Sequence, residues 1–330
     1  MTERSPKDAA LAIEAGDLER LERLLTDSPE LLSARDEDGR TLLDLAARTL
    51  TGNIAIPASP GTPAQRAAVQ LILRRGADPA AGDADGWTPL HTAAMAGHAD
   101  LAGDLIAAGA PLAADAHGKR GATPLAYALF YAKDHMARVL QPLHPDNLRT
   151  AAAVGVDPAN GFERFFEGDE LTADARAGLD FHGPTFFPAW QRTFERQEVL
   201  DEALTWAARN ERPDSMAALT ARGADVNANP YRGTALLWAC YSDRVNAARW
   251  LLDNGADPDL RHDWGGSGHG VGAVAMHLAA QYGALGCLEL LLERGADPTI
   301  ADGAYGGTPL DWAEHAGATE ATALLKSRSS

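Results

Sequence analysis

Cysteine is scarce: Cys240 and Cys287 are the two in 330 residues. Two thiols cannot build a disulfide framework, and each sits among small apolar residues, as buried core thiols do. Cations are short as well, with 29 Lys and Arg against 46 Asp and Glu and a net charge of −17. Nucleic acid and anionic membranes are recognised by basic clusters, so this balance excludes both as partners. It suits solubility, and partners that are neutral or basic. No apolar run reaches the ~18–20 residues that cross a bilayer. The opening MTERSPKDAA holds no apolar stretch of signal-peptide kind. The expected location is therefore the cytoplasm.

Catalytic signatures are missing too. There is no phosphate-cradling G-x-x-x-x-G-K-[ST], no G-x-S-x-G elbow, no paired Cys-x-x-Cys and no H-E-x-x-H. GGSGHG at 265–270 is rich in glycine but does not join a strand to a helix as a dinucleotide loop does. No cofactor is expected. His182, His262 and His269 have no recognised ligand spacing, so no metal is expected either.

What the chain does have is a recurring stop signal. RRGADP, AAGAP, ARGADV, DNGADP and ERGADP carry Gly76, Gly109, Gly223, Gly255 and Gly295, at steps of 33, 114, 32 and 40. Glycine after a helix is a common C-terminal stop. A matching start signal recurs as TPLHTAA at 88–94, with looser copies TPLAYAL, TALLWAC, VAMHLAA and TPLDWAE. Threonine caps such a helix, and proline at its first position has the right φ already. Each unit is a turn and two short helices, too small to bury its own apolar faces. It needs copies of itself on either side.

The 33-residue period and the TPLH-type start resemble the ankyrin repeat, over nearly the whole chain. The resemblance implies an all-α ankyrin-repeat solenoid of about eight or nine helix-turn-helix units, with hairpin-like turns between them and three loop insertions. Capping helices are expected at 1–35 and repeats at 36–145, with a loop insertion at 51–65. A degenerate repeat and an aromatic insertion follow at 146–197. Repeats resume over 198–305, with a long hairpin loop at 261–274, and a capping repeat closes the chain at 306–330. The stretch 198–317 looks like a group of uncharacterised bacterial ankyrin-repeat proteins. His91 and His277 belong to the repeat signature, where that histidine ties neighbouring turns together.

In an ankyrin-like unit the first helix lines the concave face, so residues two and six beyond the TPLH leucine point into the groove. Those positions supply Tyr127, Tyr131, Trp206, Trp238, Tyr282 and Trp312, with Tyr241 beside them. Rings with few rotors make good contact residues. The expected function is a recognition scaffold holding a protein or peptide in this aromatic groove. The alternative is a small-molecule site, or a metal-free acid–base lyase, dehydratase or isomerase, closed by the insertions at 171–197 and 261–274. Its candidate catalytic residues are His182, His269, Asp180 and Asp263.

Overall fold

The computed structural model describes residues 5–48, 62–114, 122–140, 145–156, 162–177, 193–230, 233–263 and 271–328. They belong to two compact units, Met1–Leu143 and His144–Ser330. Among the described residues the first holds four helix pairs: α1 (Pro6–Glu14) with α2 (Leu18–Asp27), α3 (Leu42–Ala47) with α4 (Pro63–Arg74), α5 (Pro89–Ala96) with α6 (Ala99–Ala107), and α7 (Pro124–Phe130) with α8 (Met136–Val139). First helices pack on first helices, α1 on α3 on α5 on α7, and second helices form a parallel series, α2 on α4 on α6 on α8.

Local chemistry sets these boundaries. The hydroxyls of Thr41 and Thr123 accept from the backbone N–H three residues on, and Pro89 and Pro124 open their helices. His91 accepts the Thr88 N–H at Nδ1, 3.1 Å, while its Nε2 lies 3.0 Å from the Ala122 carbonyl in the next turn. The five repeat-ending glycines all have positive φ, between 81° and 99°. That is the left-handed conformation an L side chain resists.

The second unit begins with α9 (Leu148–Val154), which no full second helix follows among the described residues. In its place come a 3-10 turn at Phe162–Phe165, a short hairpin of β1 (Phe166–Glu167) and β2 (Glu170–Leu171), and a 3-10 turn at Asp174–Arg176. Phe162, Phe165, Leu171 and Ala175 are buried and join the core of this unit. Three full pairs and a closing pair follow: α10 (Arg196–Arg209) with α11 (Pro213–Ala221), α12 (Ala235–Tyr241) with α13 (Val245–Asp253), α14 (Ala275–Gln281) with α15 (Leu285–Glu293), and α16 (Pro309–Ala316) with α17 (Thr319–Arg328). The first-helix layer runs α9, α10, α12, α14, α16, and the second-helix layer α11, α13, α15, α17. The fold is the all-α repeat stack expected from the sequence. Cys240 and Cys287 are free and buried.

Before α14, β3 (His262–Asp263) pairs antiparallel with β4 (Val271–Ala273), and the two strands make a short ladder at the base of the segment between them. Arg261 clamps that base by donating to the Gly272 and Ala301 carbonyls, and the Gly303 N–H donates to the Val271 carbonyl at 2.6 Å. A Cβ on Gly303 would meet that oxygen at 2.9 Å, so the close approach requires glycine.

Candidate functional site

The first-helix layer of the second unit carries the aromatic positions. Trp206 on α10 and Trp238 on α12 are buried, 4% and 5% exposed. Tyr241, Tyr282 and Trp312 are half-buried. They pack on Leu237, Trp238 and Leu278 to make an apolar cluster separate from the main core. The Tyr241 and Tyr282 rings meet edge to face at 4.4 Å, and Trp238 meets Tyr241 at 5.3 Å. These are favourable aromatic geometries. Of the expected groove residues in this unit, the structure thus brings Trp238, Tyr241, Tyr282 and Trp312 into one patch.

Charged side chains pack against Trp206 and Trp238. Arg149 on α9 is 1% exposed and donates to Glu202 on α10 at 2.9 Å. The Arg149 guanidinium lies 5.2 Å from the Trp206 ring, and that of Arg209 sits 3.4 Å over Trp238. Arginine over an aromatic face is attracted by the ring quadrupole. Residue patterning missed Arg149, Glu202 and Arg209. The available signal was a long charged side chain inside a largely apolar helical stretch, LRTAAAV around Arg149 and EALTWAAR around Glu202 and Arg209.

Trp312 is held differently. Its indole N–H donates to Asp302 at 3.0 Å, and its ring meets His277 edge-on at 5.0 Å. Asp302 also accepts the N–H groups of Tyr305, Ala304 and Gly307. Burial opposes its charge, but those donors and the indole outweigh it and hold the carboxyl below its ordinary range. Asp311, exposed on α16, is likewise lowered by its hydrogen bonds from Thr308.

In the first unit, Tyr127 is 2% exposed, and its ring is edge-on to Trp87 at 4.5 Å, close to His91. Its neighbour Tyr131 is half-buried against Phe130. The Trp87 N–H donates to the Thr92 hydroxyl at 2.7 Å, and that hydroxyl donates to buried Asp44 at 2.6 Å. A charged cleft of about 370 Å³ opens between Asp38, Arg40, Arg48, Asp83, Ala84 and Asp85. It is polar and contains none of the aromatic residues.

Asp180, His182 and His269, three of the acid–base candidates, lie outside the described residues, as do Phe181, Phe186, Phe187 and Trp190. Asp263 pairs through its backbone with Val271 in the β3–β4 ladder. His262, its neighbour, is buried; burial and the adjacent His277 push its pKa down to about 3. Such a ring is neutral near pH 7 and a weak proton acceptor. Among the described residues, no three His, Cys, Asp or Glu side chains gather in an arrangement that could hold a metal ion. No helix among them is long and apolar enough to cross a membrane.

A family model described as "Ankyrin repeats (3 copies)" matches residues 63–149 and 192–262, and one described as "Ankyrin repeat" matches 272–303. Together they cover more than half of the chain. A curated protein named Palmitoyltransferase AKR1, from Lachancea kluyveri, is 32% identical over 71 residues. That match takes in 22% of this chain and 9% of the other, so the chain spans under a tenth of that relative's length.

Proposed function

The chain belongs to the ankyrin-repeat proteins, and from that premise we propose that it is a recognition scaffold. Its second unit holds a protein or peptide against the first-helix layer. The observation that carries this reading is the separate apolar cluster of Leu237, Trp238 and Leu278, topped by half-buried Tyr241, Tyr282 and Trp312. An apolar cluster at the surface of that layer, outside the main core, is what a docking partner would cover. Rigid aromatic anchors of this kind supply most of the energy of many interfaces. Trp206 and Trp238 shape the floor, and the three half-buried rings make the contacts.

Peptides selected by display against the full chain test this. Tyr241→Ala and Tyr282→Ala should each weaken the selected peptides by about tenfold, the effect of losing a modest hot spot. The helical circular dichroism should not change. Peptides that bind both variants as tightly as the parent would refute the assignment.

A second reading, a polar small-molecule site, is favoured by the buried charges Arg149, Glu202 and Arg209 beside two tryptophans. Charges held out of water at a cost are common where ligands bind. A thermal-shift screen with carboxylate metabolites addresses it. A melting-temperature rise that disappears in Arg209→Met would favour this reading, and no rise with any compound would discard it.

A further inference from the structure

Two of the groove tryptophans already carry a guanidinium from the chain itself. Arg149 lies by Trp206 and Arg209 lies over Trp238. The same first-helix position recurs in the last repeat as Trp312, on α16. Among the described residues no guanidinium covers it, and the ring remains half-buried. Where the α10 repeat offers Arg209 to the next ring, the α14 repeat places Gln281.

The surroundings of Trp312 favour a cation from outside. From 251 to 330 there are 11 acidic residues against four basic ones. Three of those four are engaged: Arg294 with Asp253, Lys326 with Glu314, and Arg261 with two backbone carbonyls. Behind the ring stands Asp302, a nearly buried carboxylate that receives the indole N–H. A hydrogen bond from the indole to an anion shifts electron density toward the ring faces, and a cation stacked there gains by it. Asp311 adds an exposed anionic group on the same helix.

We propose that Trp312 is the seat for an arginine side chain of a partner protein, continuing the chain's own arginine-on-tryptophan arrangement by one more position. The partner is a basic segment whose apolar residues lie on Tyr241 and Tyr282. The inference rests on the docking reading of the same strip and adds the charge of the occupant.

The test uses peptides selected by display against the full chain. Arginine should be enriched among them. Replacing that arginine with citrulline, which has nearly its shape and no charge, should weaken binding about five- to tenfold, the usual scale of a cation–π contact. Trp312→Leu should cost as much. Trp312→Phe, which keeps an aromatic face but cannot donate to Asp302, should lose about threefold, with a melting temperature close to that of the parent. Peptides that need Tyr241 and Tyr282 yet tolerate citrulline would overturn the arginine seat and leave the docking reading intact. If no selected peptide depends on Tyr241, Tyr282 or Trp312, both fall.

Discussion

His91 works as a neutral ring: Nδ1 accepts the Thr88 N–H, and Nε2 reaches the Ala122 carbonyl of the following turn. Burial drives its pKa from 6.5 down to about 4. An unfolded chain therefore binds the proton before the folded one does, and stability is complete above pH 6.5 and is lost as the pH falls toward 4. At pH 5 the loss from this one ring is about 2 kcal/mol. His277 is shifted in the same direction, mainly by burial. In urea titrations His91→Gln should be weaker than the parent at pH 7 but should lose about 2 kcal/mol less between pH 7 and pH 5. An equal loss in both proteins would exclude His91 as the titrating group. The histidine's tying role was readable from its place in the TPLH motif. The buried pair Arg149–Glu202 was not, because its members stand 53 residues apart and meet only when α9 packs on α10. Glu202→Gln should cost about 3–5 kcal/mol in chemical denaturation, since it leaves a buried guanidinium uncompensated. A loss under 1 kcal/mol would mean that water reaches Arg149.

The turn that ends each first helix shows how an element is tuned. Gly97, Gly283 and Gly317 occupy it with φ of 64–77°, while Ala132, Glu211 and Asp243 take the same left-handed conformation without glycine's freedom. Glu211 and Asp243 use their side chains there. Glu211 accepts the Asn246 N–H of α13, and Asp243 accepts the Cys287 N–H of α15, so each caps the second helix of the next repeat. Neither α13 nor α15 has a side-chain cap from its own N-cap residue. Ala132 has no such group to offer. Ala132→Gly should therefore stabilise the first unit by up to about 1 kcal/mol, by relief of left-handed strain. Asp243→Ala keeps the strain and loses the cap, and should cost about 1–2 kcal/mol. Both are read from hydrogen-exchange protection of the flanking helices, and a change of the opposite sign in either would defeat the account. Caps and glycine stops are local chemistry, which is why most helix pairs were legible from sequence. The hairpin at Phe166–Leu171 was not. Phe162 and Phe165, in the 3-10 turn just before it, fit no period, and that turn packs on α9 where the neighbouring repeats have a second helix.

Charge is the property that belongs to the whole molecule. The net −17 is divided unevenly: 144–330 carries 27 acidic and 15 basic residues, net −12, and 1–143 carries 19 and 14, net −5. Like charges on a folded body repel, and salt screens that repulsion over a Debye length of ~10 Å at 0.1 M. Most ion pairs here have an exposed partner, as at Arg66–Asp100 and Arg222–Glu163, and such pairs contribute ~0–1 kcal/mol each. Screening them costs less than relieving a surplus of twelve anions gains. Raising NaCl from about 10 mM to about 200 mM should therefore stabilise helices of the second unit more than those of the first, a contrast that hydrogen exchange resolves helix by helix. Equal gains in both units, or a loss in α13 and α15, would show that the specific ion pairs outweigh the net charge. The same field bears on recognition: a basic segment approaching the second unit is drawn in by that surplus, and its association rate should fall with salt while its dissociation rate changes little. A partner whose association rate is indifferent to salt would have to be neutral, and the rings of Tyr241 and Tyr282 would then carry the contact without help from charge.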